Sequence, residues 1–575
     1  MTTFAKQPSK PSGVALADKV QMQHRLFSEL SNMFGKEVPL YDKALLVNKE
    51  CNKAVCALLG QMYSGFTISE EQLDKTSGER HGAIRIGRPD EYRWIARFFA
   101  QFAMEPHNFY DMANVGAKSQ PIIATAFRSA HNPEHRVFSS LLLTDYFDEK
   151  TKARIEAVLA QRTVFSDKAK QLIEKGEKQG GLDWNDANDL IREGTERIFK
   201  WTGKARDHSL YKELCDAGFK IAADIACFQA HHLNHLTPNT FWIDLYTAAM
   251  KLCLGEMPEA EFRRRAEKAL TRLTTFADRD YMKLHFKHLS REQVEAYPSA
   301  RPAADAPAKL AEALTKRLLQ SDLQLKTYKH AGFKDFTEGP SWDTPVLLRQ
   351  DAYKALTEPV TFTNPDGTMT ETVHTARFGE IEQRFYATTK KGRDLYDACL
   401  TAGDAQRDKN PGVAKTNFDQ YESEYMAAYK PFPKTLRELV DQGLIYGRYV
   451  ATAKGIAAKG SIATTDLQQL IALGFVQVEG LRYEDFLPVS AAGIFASNLS
   501  QYGTKTTAAE KPKYTKARLE EVIGRRVIET DEAYAGMEAA SKLDTYTALG
   551  LVGKLGAGEK AALEKLAQNV PAKVG

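Results

Sequence analysis

Residues 372–384 read Thr-Val-His-Thr-Ala-Arg-Phe-Gly-Glu-Ile-Glu-Gln-Arg. As one extended strand, this stretch puts His374, Ala376, Phe378, Glu380, Glu382 and Arg384 on a single side. A strand face carrying two carboxylates cannot be dry core unless something neutralises it, and a bound cation or an internal ion pair would do so. A solvated edge strand is the alternative. Imidazoles able to complete a cation site lie far away in the chain. His81 stands in a short alternating stretch between Gly78 and Gly87, read as a strand with His81, Ala83 and Arg85 on one face. His231, His232 and His235 cluster just before Leu236-Thr237-Pro238, and His231 and His235 share a face whether the segment is strand or helix.

Two histidines and one carboxylate from separate strands form a facial triad. Such a set leaves three open positions on a metal. A 2-oxo acid can fill two of them through its carboxylate and keto oxygens, and O₂ the third, which suits oxidative decarboxylation. The residues alone leave alternatives open. A histidine beside a glycine turn is ordinarily hydrogen-bonded or exposed, and clustered histidines occur on surfaces. Periodicity does not choose between Glu380 and Glu382. Arg85, between Ile84 and Ile86, needs an anion on the inner face of its strand, either a ligand or a structural carboxylate.

These residues must be positioned by a mixture of strands and helices. A helix is expected from about Asp18 to Phe34, with Leu26, Leu30 and Met33 as its stripe and Gly35 closing it, and a second over Asp42–Leu59. After the His81 strand, Pro89 opens a helix with Ile95, Phe98, Phe99 and Phe102 on one side, followed by a strand from His107 to Met112: a strand–helix–strand unit. Arg136–Phe147 contains a further strand. Residues 149–215 are charged and helical, and 250–340 carry amphipathic helices with a Pro/Ala-rich joint at 297–307. Asn364-Pro365-Asp366-Gly367 is a turn signal. Phe475–Val478 and Leu481–Leu487 read as paired strands, ending in a small-residue turn over 487–495. Residues 1–18 read as disordered, 19–500 as one domain with helical insertions at about 149–215 and 250–340, and 501–575 as a peripheral extension.

Five motifs carry a family resemblance: His81-Gly82-Ala83-Ile84-Arg85, Asn234-His235-Leu236-Thr237-Pro238, Pro345-Val346-Leu347-Leu348-Arg349-Gln350, Phe378-Gly379-Glu380-Ile381-Glu382-Gln383-Arg384, and the turn over 487–495. In this order, between about residues 25 and 500, they resemble the 2-oxoadipate dioxygenase/decarboxylase family, also called D-2-hydroxyglutarate synthases. That family is related to vicinal-oxygen-chelate dioxygenases such as 4-hydroxyphenylpyruvate dioxygenase, whose Glu-Ile-Ile-Gln-Arg strand binds iron through its first Glu. The resemblance implies an α+β fold, with a vicinal-oxygen-chelate-like mixed β-sheet cup around a metal site and extensive helical decoration. It makes His81, His235 and Glu380 the Fe²⁺ ligands and selects Glu380 over Glu382. Arg85 becomes the partner of a substrate carboxylate, with Val489 and Ser490 lining the pocket. The implied reaction is 2-oxoadipate plus O₂ giving 2-hydroxyglutarate plus CO₂, in lysine breakdown. Phe385 stands where a glycine is expected after the strand.

Composition bounds the remaining readings. The chain has 575 residues, 43% of them hydrophobic, and Lys+Arg 78 nearly balance Asp+Glu 74 for a net charge of +4. Near balance argues against a nucleic-acid binder working through bulk charge. The sequence has no apolar run long enough for a transmembrane helix and no apolar segment near Met1 of the secretory kind. Six cysteines without a CxxC pair read as reduced thiols, so a cytoplasmic location is expected. Two rival readings are an O₂-independent Zn²⁺ or Mn²⁺ lyase or isomerase of the same fold, and a non-catalytic helical interaction protein.

Overall fold

Helices open the fold. The computed structural model describes residues 15–114, 119–129, 135–487 and 513–571. Asp18 caps the first helix, Lys19–Glu37, by accepting from the Gln21 amide. Its buried side carries Leu26, Leu30, Met33 and Phe34, as the spacing predicts. The helix runs through Gly35 and stops at Glu37, because Val38 precedes Pro39 and the residue before proline is driven out of the helical region. Pro39 then starts the second helix, Pro39–Met62, three residues ahead of the expected Asp42.

The strands, in chain order, are β1 (Glu79–Ile86), β2 (Glu105–Asp111), β3 (Ile122–Arg128), β4 (Arg136–Leu142), β5 (Lys204–Arg206), β6 (His235–Pro238), β7 (Leu348–Ala352), β8 (Thr357–Thr363), β9 (Met369–Thr375), β10 (Glu380–Arg384), β11 (Gly447–Ala451) and β12 (Val476–Gly480). A five-stranded sheet has the order β2-β3-β4-β1-β6. Only β1 and β4 run parallel; the other pairings are antiparallel. The expected strand–helix–strand unit exists, with Ile95, Phe98 and Phe99 of helix Pro89–Ala100 buried. Its two strands are not neighbours, since β4 and β3 lie between them.

The sheet continues past β6. Asn239 bridges Glu382 in parallel fashion, and the Thr240 amide donates to the Glu382 carbonyl at 2.8 Å. β10 pairs in turn with β7. β1, β6 and β10 therefore stand side by side, and each carries one of the residues expected to bind metal. This α+β cup with heavy helical decoration is the architecture that the sequence implies.

Two sequence expectations give way here. Residues 372–384 are not one strand: β9 stops at Thr375 and β10 starts at Glu380. Between them the chain is held by partners outside a ladder. The Phe378 amide donates to Asn234, the Arg377 carbonyl accepts from Leu356, and Arg377 is buried between Glu37 and Glu358. Gly379 is needed for a close approach, since a Cβ there would sit 2.3 Å from the Tyr353 ring. His374 consequently belongs to the β8–β9 hairpin, whose turn is the expected Asn364–Gly367, and not to the face of Glu380. Likewise β12 pairs with β11, while 481–487 makes only an isolated bridge from Arg482 to Tyr386.

The core has two parts. The larger surrounds the five-stranded sheet and includes the helices of 149–215 and 250–340, through residues such as Ile173, Phe262 and Leu273. The smaller gathers Leu348, Tyr386, Tyr396, Leu439 and Val478. The C-terminal residues differ from the peripheral extension expected. Leu519, Ile523 and Val527 enter the larger core, and Tyr534, Tyr546 and Leu549 the smaller one. Ile528 exchanges backbone hydrogen bonds with Pro106 and Asn108 of β2.

Candidate metal centre

Register brings the candidate ligands together. In the β1–β6 ladder Ala83 faces His235 and His81 faces Thr237. Gly82 lets the strands close, because a Cβ there would meet the His235 carbonyl at 3.2 Å and Leu236 at 3.0 Å. Glu380 opens β10 on the other side of β6. The ligand atoms of His81, His235 and Glu380 all lie within 4.8 Å of one another, and all three side chains are buried. His81 Nε2 is 3.2 Å and His235 Nε2 3.3 Å from Glu380 Oε2. Thr237 Oγ1 sits between two of them, 2.9 Å from His81 Nε2 and 3.1 Å from Glu380 Oε2.

The residues fit a cation. Both ring nitrogens of His235 and Oε1 of Glu380 are buried without a hydrogen-bond partner among the described residues. Buried polar atoms normally find partners, and those left over on His235 and Glu380, beside the His81 ring, make with it a donor set for a divalent metal. Burial, the neighbouring His81, and the cations Arg85 and Lys334 hold His235 well below the ordinary imidazole range, so it is neutral with a lone pair to give. Phe378 stacks on the His235 ring at 4.7 Å and Phe486 packs edge-on against His81 at 4.8 Å, so apolar walls flank the group.

The two glutamates have different surroundings. Glu382 accepts from His81 Nδ1 at 2.7 Å, from Arg384 through both carboxylate oxygens, and from Arg136. Burial pushes its carboxyl up, but Arg384, His81 and Arg136 outweigh that and hold it well below the usual range. Glu382 is thus fully engaged, whereas Glu380 keeps an oxygen to offer.

Arg85 follows two alternations along β1. Its guanidinium pairs with buried Asp224 at 2.5 Å. Asp224 is also approached by His374 at 3.0 Å and His232 at 3.2 Å. A cavity of about 210 Å³ is lined by Arg85, Tyr211, Lys220, His374 and Ala376 among others. Val489 and Ser490 lie outside the described residues. Two other histidines weighed from the sequence are engaged elsewhere: His231 contacts Glu91 at 3.2 Å, and His107 contacts the Glu105 carbonyl at 2.7 Å. Arg349 is taken up by Asp244. Sequence reasoning did not single out Thr237, Arg136 and Asp224. Thr237 had a signal, two residues after His235 on the same strand face; Arg136 and Asp224 had none, because their partners are distant in the chain.

Comparison with known proteins agrees with this geometry. A sequence model of 2-oxoadipate dioxygenase/decarboxylase matches residues 26–261 and 280–498. A Pseudomonas putida protein named 2-oxoadipate dioxygenase/decarboxylase is 34% identical, over 91% of this chain and 95% of its own. An Escherichia coli protein of the same name is 31% identical, over 92% and 97%. The crystal structure of the hydroxyglutarate synthase from Pseudomonas putida in complex with 2-oxoadipate aligns with a TM-score of 0.63 at 31% identity, covering 93% of this chain and 99% of that one. With its cup, its buried His-His-Glu group and matches over most of its length, the chain belongs to the 2-oxoadipate dioxygenase/decarboxylase family.

Proposed function

We propose that this protein is an Fe²⁺-dependent dioxygenase/decarboxylase that converts 2-oxoadipate and O₂ to 2-hydroxyglutarate and CO₂. The observation that carries the reading is the buried His81–His235–Glu380 group with its orphaned donor atoms, in a chain of this family. The relative crystallised with 2-oxoadipate supports a 2-oxo dicarboxylic acid as substrate. His81, His235 and Glu380 would hold the iron. When bound, Fe²⁺ supplies the electrons that let O₂ react with a closed-shell organic acid.

The chain's own residues do the rest. Thr237 Oγ1, within hydrogen-bond distance of both His81 and Glu380, orients those two side chains relative to each other. Phe378 and Phe486 keep water from the reacting end. Arg85 meets the carboxylate that is not on the metal; a guanidinium can serve two carboxylates at once, so Asp224 would hold one edge while substrate takes another. Val489 and Ser490 complete the pocket in this reading. Both oxygen atoms of O₂ end in the five-carbon product, and one carboxylate leaves as CO₂, so the reaction balances without a second 2-oxo acid.

A role in lysine breakdown is the metabolic setting this chemistry fits. The six cysteines are all unpaired, which accords with a reducing, cytoplasmic setting. No described helix is long and apolar enough to cross a membrane. The test is oxygen uptake by the Fe²⁺-loaded protein over a panel of 2-oxo acids, with the product identified. We expect one O₂ consumed and one CO₂ released per 2-oxoadipate. Substrate turnover without oxygen uptake would replace this reading with a lyase or isomerase.

A further inference from the structure

We infer that Glu382 is the positioning residue for His81, and that Tyr534, in the helix Thr530–Ala548 beyond the family match, holds the ion chain that supports it. The inference rests on the metal reading above. An imidazole that gives its Nε2 lone pair to a metal must carry its proton on Nδ1, and that proton needs an acceptor. His81 Nδ1 is 2.7 Å from Glu382 Oε2, and both side chains are at most 1% exposed. A carboxylate this deep must be neutralised by neighbours to remain an acceptor. Arg384 does so with two hydrogen bonds of 2.6 and 2.8 Å, and Arg136 adds a third at 3.2 Å.

The chain of charges does not end there. Arg136 Nη2 donates to Glu484, which also accepts from Lys287 at 3.0 Å. Arg384 Nη1 donates to the carbonyls of Tyr483 and Asp485. Residues 483–486 therefore touch the centre three times: through Glu484, through these carbonyls, and through Phe486 against the His81 ring. What holds 483–486 from behind is the C-terminal helix. The Glu484 amide donates to the Tyr534 hydroxyl at 2.8 Å, that hydroxyl donates to Asp485 at 3.3 Å, and Thr530 donates to the same carboxylate at 3.2 Å. Tyr534 is 3% exposed. Outer partners of a ligating histidine typically change metal affinity about 10- to 100-fold. The structure extends such a chain into residues that the family match leaves uncovered.

The experiment is anaerobic titration of the full-length metal-free protein with Co²⁺, followed by its visible absorption, with a thermal melt of each apo variant. Glu382→Gln should bind Co²⁺ about 10- to 100-fold more weakly with an altered spectrum. Tyr534→Phe should lie between wild type and Glu382→Gln, with an apo melting temperature near wild type. Lys542→Met, which removes a half-buried pair with Glu538 from the same helix, should bind like wild type. Wild-type Co²⁺ affinity in Tyr534→Phe overturns the inference, whether or not Glu382→Gln folds. Equal weakening in Lys542→Met also overturns it, because the effect would then be general loosening of the helix. His81→Ala is the separate control: if it keeps stoichiometric metal, the metal reading itself has failed.

Discussion

Three side chains define what this protein can do. His81, His235 and Glu380 bring their ligand atoms within 4.8 Å of one another, and no other such group of three forms among the described residues. That distinction sets the first prediction. His81→Ala, His235→Ala and Glu380→Ala should each abolish turnover and metal retention through gel filtration, read by elemental analysis. His107→Ala and His232→Ala should retain metal, since those rings serve the Glu105 carbonyl and Asp224. Glu380→Gln should behave like the alanine variant, because a neutral amide is a poor ligand for a divalent cation. Full iron occupancy in His235→Ala would show that the centre lies elsewhere.

At the scale of the element, β1 is the strand that matters. It places His81 in the buried His-His-Glu group and Arg85 two alternations on, about 13 Å along an extended backbone at roughly 3.3 Å per residue. A six-carbon diacid together with a long arginine side chain can span much of that gap. Arg85→Ala alone would leave Asp224 buried without its cation, so the informative variant is the double one, Arg85→Ala with Asp224→Asn. It should keep iron, lose about 2–5 kcal/mol of apparent affinity for 2-oxoadipate, and improve a 2-oxo monoacid of similar length relative to the diacid. The measurement is KM and kcat for the two acids side by side. An unchanged preference would make Arg85 a structural partner of Asp224. Arg349 and Arg384 are poor substitutes for it, since Asp244 and Glu382 already occupy them.

The whole molecule carries many buried charges, and they pull its stability in opposite directions with pH. Burial, opposed by Lys287, Arg136 and two other arginines, leaves Glu484 at about 2; its contribution is present above the unfolded value near 4.5 and lost as pH falls through the folded one. Asp351 behaves the other way. Burial lifts it from 3.8 to about 6 against Lys334 and Lys251, so its contribution is present at low pH and lost as pH rises through about 6. Asp351→Asn should therefore gain on wild type by roughly 2–3 kcal/mol between pH 4 and pH 8, since each pKa unit is worth about 1.4 kcal/mol. Denaturant melts at the two pH values measure it. A constant difference would mean that Asp351 is not a strained carboxylate.

The sequence by itself determined the ligand types, the family and the broad α+β class. These are local properties: glycines that permit close strands, a histidine at the head of Leu-Thr-Pro, a Glu-Ile-Glu-Gln-Arg run. It could not choose Glu380 over Glu382 except by resemblance, because alternation puts both on one face. Tertiary structure separates them, by bringing His81, Arg136 and Arg384 onto Glu382 and leaving an oxygen of Glu380 unclaimed. It also broke the apparent strand of 372–384 at Gly379, where Tyr353 packs too close for any side chain. Asp224 facing Arg85, and Tyr534 bracing Glu484, are contacts between segments far apart in the chain. No periodicity encodes such pairs; they exist only because burying a charge or a hydroxyl obliges the fold to supply its partner.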